Sequence, residues 1–173
     1  MSIAKRLSEW LVVRRSQPFR CKTARRNRRE GGLIMSVEQN KEALATAVAA
    51  WNAGDGETYL ALYDPSIQHH GLAPEPFDAA ANRAFYQGMW AAFPGARLTI
   101  EDTVAEGDKL ALRFNVSGQH EGEFMGVAPT GRPFVLNGQT VMLFRNGQVV
   151  QRWTTGDMLG LLTQLGAIPA PAA

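Results

Sequence analysis

One cysteine, Cys21, stands alone in 173 residues. A lone thiol closes no internal disulfide, and no Cys/His spacing has the form of a structural zinc site. Nothing in the composition points to a metal or an oxidising compartment, and the expected setting is cytoplasmic. Long hydrophobic runs are missing as well: no apolar stretch approaches the ~20 residues of a membrane-spanning helix. No internal repeat is visible. What is present is ordinary for a globular protein, with 45% hydrophobic and 20% charged residues. The length suits one domain with a core of normal size.

The net charge of +2 conceals two unlike parts. Residues 1–30 hold ten Lys/Arg against Glu9 and Glu30, a net +8, which leaves −6 for the remainder. Ile3, Leu7, Trp10 and Leu11 fall on one helical face, a pattern that can lie on an anionic membrane or serve in organelle targeting. The arginines at 25–29 can touch nucleic acid. Trp10 to Val13 is too short an apolar stretch for a secretory signal, and no small-residue cleavage site follows. The plainer expectation is a basic, disordered extension over 1–34, with no nucleic-acid partner and no stable membrane insertion. A domain over 35–168 and a short tail over 169–173 complete the expected organisation.

The domain opens on Ser36-Val37-Glu38-Gln39, a capping-box pattern. Val37, Leu44, Val48 and Trp51 then keep one helical face apolar as far as Gly54. A short second helix is expected from about Gly56 to Tyr63, before Pro65, and a brief strand from Ile67 to His70. A third helix from about Asp78 to Ala92 buries Phe85, Met89 and Trp90 and closes at Pro94-Gly95. Four strands follow. Ala96 to Ala105 alternates weakly, and Gly107-Asp108 makes a turn. Lys109 to Gly118 alternates cleanly, with Leu110, Leu112, Phe114 and Val116 on one face. The Gly- and Pro-rich segment Gln119 to Arg132 has the length at which loops are usually functional. Asn146-Gly147 is a strong hairpin signal, because the tightest hairpin turn needs positive φ at both central residues. It joins strands over Gln139 to Arg145 and Gln148 to Thr155. In the second of these, Val149, Gln151 and Trp153 share one face and Val150, Arg152 and Thr154 the other. Asp157 follows at a strand end, and Met158, Leu159, Leu161, Leu162 and Leu165 form a helical apolar repeat that stops at Gly166. Helices first and an antiparallel sheet afterwards predict an α+β fold.

Phe93-Pro94-Gly95, Glu106-Gly107-Asp108, Gly118-Gln119-His120-Glu121-Gly122-Glu123-Phe124-Met125-Gly126, Pro129-Thr130-Gly131-Arg132 and Trp153-Thr154-Thr155-Gly156-Asp157 occur in one order. With Leu161-Leu162-Thr163-Gln164-Leu165-Gly166, that order resembles the SnoaL-like polyketide cyclases over roughly Met35 to Gly166. The resemblance implies a nuclear transport factor 2-like cone, in which a curved antiparallel sheet wraps around helices and encloses a pocket. It also implies intramolecular aldol ring closure in an aromatic polyketide ester without metal or cofactor, with the acid/base Asp matching Asp157. The chain departs from many relatives at Gln151-Arg152, where they carry Glu-His, and at Gly118-Gln119-His120, where they carry Gly-Thr-His. Pocket polarity is expected to differ accordingly.

Aldol closure needs a base for a proton on carbon flanked by carbonyls, then a hydrogen-bond donor for the enolate or alkoxide oxygen. A carboxylate serves both steps in turn if burial raises its pKa. Asp157 fits that base, and it equally fits a helix N-cap. His70, at a strand end, is expected at the pocket mouth as a proton partner or a rim residue, with His69 turned to solvent. His120 either touches substrate or fixes its loop. Arg113 and Gln139 either line the pocket or form a surface ladder. Trp153, Trp90 and Phe85 either wall a flat substrate or belong to the core. The expected partners are a small apolar carbonyl compound and a second copy of the chain, paired through the sheet. The competing functions are an isomerase, which needs a Tyr donor with a second carboxyl, an epoxide hydrolase, which needs an Asp-Arg-Asp network, and a non-catalytic binding domain.

Overall fold

The computed structural model describes residues 36–169, so the predicted basic extension over 1–34 lies outside the described residues. Helix α1 (Val37–Asn52) begins as the capping box requires. The Ser36 hydroxyl accepts the Gln39 N–H at 3.2 Å, and the Gln39 side chain accepts the Ser36 N–H at 2.8 Å. At the other end Trp51 Nε1 donates to Ala96 O at 2.7 Å, and the Asn52 amide both donates to and accepts from Leu98. These bonds fix the helix against the sheet. Helix α2 (Gly56–Leu60) is shorter than predicted, because Tyr63 already belongs to strand β1 (Tyr63–His70). Helix α3 (Ala79–Ala92) is capped by Asp78, which accepts the Ala81 N–H at 2.8 Å.

Strands β2 (Arg97–Glu106), β3 (Lys109–Gln119), β4 (Pro133–Arg145) and β5 (Gln148–Gly156) precede helix α4 (Met158–Leu165). The sheet is curved, with order β1-β5-β4-β3-β2. Four strands pair antiparallel as expected, but β1 joins β5 in parallel. A parallel pair needs a long crossover, and here it consists of α3 with the three strands between. Asn146 and Gly147 take φ of 53° and 80°, the left-handed values that the hairpin turn demands.

The alternation in β3 translates directly into burial: Leu110, Leu112, Phe114 and Val116 all face the helices. In β5 the parity slips. Leu143 pairs with Gln151 and Phe144 with Val149, so Val150 is an extra residue on that strand. Through this bulge Val149 and Val150 are both buried, and Arg152 and Thr154 continue on the helix-facing side. Among the described residues the opposite sheet face is uncovered. One cross-strand row runs over all five strands as Val104, Ala111, Val141, Trp153 and His70. Beside it runs the row Asp102, Arg113, Gln139 and Thr155.

Candidate functional site

Two concave regions lie on opposite faces of this sheet. The inner one is a cavity of about 510 Å³ between the sheet, α1 and α3, with Trp51, Tyr59, Phe85, Tyr86, Phe114 and Phe124 among its walls. The outer one is a broad groove of about 1090 Å³ over the exposed rows, open along the sheet.

A chain of buried polar groups ends at the inner cavity. His69, 1% exposed, bonds Asn82 Oδ1 through Nδ1 and Thr154 Oγ1 through Nε2, each at 2.8 Å. An amide oxygen only accepts, so Nδ1 carries the proton and Nε2 receives the Thr154 hydroxyl. Thr154 Oγ1 in turn lies 3.0 Å from Thr140 Oγ1, which donates to it, and 3.0 Å from the Nε donor of Arg152. Burial, then the positive charge of Arg152, push the His69 pKa down to about 3. The imidazole is therefore neutral at ordinary pH, with its lone pair turned toward the Thr154 hydroxyl.

Arg152 is itself buried. Its Nε donates to Thr140 and Thr154, and its Nη1 donates to the oxygens of Tyr59, Tyr63 and Tyr86. These are the chain's three tyrosines. Burial raises the pKa of Tyr63 and Tyr86 against the opposing pull of the guanidinium, which keeps both phenols protonated. The rings pack edge-on and stacked, with Tyr59–Tyr86 centroids 4.9 Å apart and Tyr63–Tyr86 5.8 Å apart.

The two adjacent histidines are placed opposite to expectation. His69 was expected in solvent and His70 at the pocket. Instead the parallel register sets His69 beside Arg152 and His70 beside Trp153, and paired residues share a face. His69 thus faces the helices, fixed by backbone bonds to Phe77 at 2.9 Å in both directions. His70 stacks on Trp153 at 5.3 Å and 8° on the outer side, its Nε2 buried with no hydrogen-bond partner among the described residues.

The other predicted residues divide between the faces. Asp157, Trp153, Gln139 and Arg113 line the outer groove with His70. The Asp157 carboxylate accepts the Gly160 N–H at 2.8 Å, which is the N-cap arrangement, and the side chain is exposed. Its neighbours Gly156 and Met158 border the inner cavity; Asp157 does not. Arg113 pairs with Glu101 at 3.2 Å on the surface, an interaction worth at most ~1 kcal/mol. Phe85 lines the inner cavity, while Trp90 packs on Trp51 at 5.4 Å outside its walls. His120 is fully buried away from both regions, where Nδ1 meets Thr130 Oγ1 at 3.1 Å and the backbone bonds Gly131 and Arg132. It holds its loop closed. Among the described residues no group of three or more His, Cys, Asp or Glu converges as metal ligands do.

Sequence reasoning passed over His69, Arg152, Thr154 and the tyrosines. One signal was available: an arginine on the row of β5 that also carries Val150 and Thr154 is a charge on a strand face otherwise suited to packing. Nothing in the sequence says that Tyr59, Tyr63 and Tyr86 meet it.

Comparison with known proteins agrees with this architecture. AclR of Streptomyces galilaeus, a proposed hydroxylase, is 33% identical with a TM-score of 0.73, over 79% of this chain and 87% of that one. IdmH of Streptomyces antibioticus, a proposed polyketide cyclase, is 36% identical with a TM-score of 0.64, over 74% and 99%. TsrD of Streptomyces laurentii is 30% identical with a TM-score of 0.68, over 78% and 99%. No curated protein matches the chain. Residues 41–165 match the family profile of the SnoaL-like polyketide cyclases. The domain is a nuclear transport factor 2-like α+β cone, and the chain belongs to the SnoaL-like polyketide cyclase family.

Proposed function

We propose that this protein is a cyclase that closes a ring in a small, largely apolar carbonyl compound by intramolecular aldol condensation, without metal or cofactor, inside the inner cavity. The observation that carries this reading is the meeting of the His69–Thr154 pair and Arg152 on the wall of a cavity lined with aromatic side chains. The cavity volume suits a flat substrate folded on itself, which brings the two reacting carbons together. The Arg152 Nε–H, shared between Thr140 and Thr154, moves wholly onto Thr140. The Thr154 oxygen so freed takes a proton from the carbon flanked by carbonyls as its own proton passes to His69 Nε2. The resulting enolate carbon attacks the second carbonyl carbon, and the alkoxide so formed takes the proton back. Arg152 and the phenols face the oxygen on which charge develops. Burial, more than the guanidinium, depresses His69, and the negative charge offsets only the guanidinium's smaller part of that depression.

The rival enzymes fit less well. Arg152 is surrounded by threonine and tyrosine oxygens where an epoxide hydrolase needs two Asp. An isomerase needs a second carboxyl beside its Tyr. Among the described residues the one carboxylate on the inner wall, Glu123, is exposed. A second reading has one observation in its favour: Asp157, His70, Trp153, Arg113 and Gln139 come together along the outer groove. In that reading Asp157 is the base and substrate lies on the open sheet face.

The two readings part on paired variants assayed by absorbance for ring closure of an aromatic polyketide carbonyl compound. His69→Gln is expected to lower kcat by about 10²–10⁴-fold, with an unchanged near-UV circular dichroism spectrum. Asp157→Asn is expected to turn over within a few-fold of the parent, and a chelator to change neither. The inverse result, with His69→Gln active and Asp157→Asn dead, moves the chemistry to the outer groove.

A further inference from the structure

We infer that the inner cavity is built for an organic anion, with the carboxylate of a flat, largely apolar molecule seated on Arg152. The inference rests on the inner cavity being the site proposed above and goes further by naming the substrate's charge.

A guanidinium keeps its charge at every accessible pH, and a buried charge is normally paired. The ion pairs among the described residues join Lys41 to Glu38, Arg83 to Glu57 and Arg113 to Glu101. None involves Arg152, whose partners are all neutral hydroxyl groups. Glu123 borders the cavity but forms no ion pair with it. The cavity therefore presents a buried guanidinium with no ion-pair partner among the described residues, while Glu123 is exposed to solvent.

The hydrogen bonds are incomplete in the same direction. Tyr63 Oη lies 3.2 Å from Tyr59 Oη and 2.9 Å from Tyr86 Oη. Two such bonds use two of the three phenolic protons, and the third has no acceptor among the described residues. Tyr59 and Tyr86 line the cavity; Tyr63 does not. Arg152 also lines it, and its Nη2 donates to no described protein atom. The cavity thus offers a phenol O–H and a guanidinium edge, donors only, around a fixed positive charge. A carboxylate supplies the acceptor lone pairs and the charge that both lack. The remaining walls decide between an inorganic and an organic anion. Phe85, Met89, Leu98, Phe124 and Leu136 are apolar, so the body attached to the carboxylate is apolar too.

The test compares two probes of nearly one shape, 2-naphthoate and its methyl ester, titrated into the full chain at pH 7.5. Trp51 on the cavity wall supplies the fluorescence signal. The carboxylate is expected to bind at least ten-fold tighter than the ester, and Arg152→Met to reduce that preference below three-fold. Arg113→Gln, on the outer face, is expected to retain it. Equal affinities in the parent, or a preference that disappears in Arg113→Gln, overturn the inference. If Arg152→Met does not fold, the parent ratio and the Arg113→Gln ratio decide between the same two results. Because the readout is binding, absent turnover refutes the cyclase and leaves this inference standing. Equal probe affinities do the reverse.

Discussion

Two side chains, His69 and Asp157, carry the competing accounts of the chemistry, and each responds differently to change. His69 sits neutral in a buried network with its pKa held near 3. The unfolded chain therefore binds a proton there below pH ~6.5, while the folded chain does so only near pH 3. Stability from this residue is complete above pH ~6.5 and lost as pH falls toward 3. Thermal melts of the parent are expected to decline more steeply from pH 6.5 to 4 than those of His69→Gln. The carboxylates titrate in both proteins, so the difference between the curves isolates the imidazole; parallel curves would contradict the assignment. For Asp157 the cap is a matter of geometry. Asn caps about as well as Asp, whereas Ala costs ~1 kcal/mol at such a position. Chemical denaturation is expected to show Asp157→Asn within a few tenths of a kcal/mol of the parent and Asp157→Ala about 1 kcal/mol below it.

At the scale of elements, local signals were legible and pairings were not. The capping box at Ser36 and Gln39, the Asn146-Gly147 turn and the clean alternation of β3 each encode their geometry within a few residues. The left-handed stop at Gly166 does the same. The faces of β1 and β5 were hidden for the opposite reason. They depend on a parallel register between strands some 80 positions apart, and on a bulge at Val150 that shifts parity. That is why His69 was read as turned to solvent, although it is buried against the inner cavity. Gly71 just after β1 shows how tight this junction is. It takes φ of +91°, and a Cβ there would lie 2.1 Å from the Thr154 carbonyl oxygen. Gly71→Ala is expected to cost ~1–3 kcal/mol and to loosen the His69–Thr154 contact. Gly88, in the middle of α3, has open space around its Cβ position, and Gly88→Ala is expected to gain ~0.5–1 kcal/mol. Matching effects at the two glycines would show that the β1 junction is not the constraint proposed.

The domain is a sheet with one face committed to helices and one that no described residues cover. The family and the cone were legible because their motifs are ordered along the chain, and the reaction was not, because it depends on which face carries the site. The open face fits the expected second copy. Val104, Val141 and Trp153 are exposed along one row that crosses every strand. We propose a homodimer through this face. Light scattering is expected to give twice the chain mass for the parent and the single mass for Val141→Glu; a monomeric parent would refute it. Such pairing would also leave the inner cavity as the accessible site. The most direct test of that central claim is a crystal structure of the protein soaked with 2-acetylnaphthalene, a flat neutral aryl ketone. The account predicts the ketone within the inner cavity, its oxygen toward Arg152 and its rings between Phe85 and Phe114. A ketone lying on the outer face against Trp153 and Asp157, with the inner cavity empty, would contradict it.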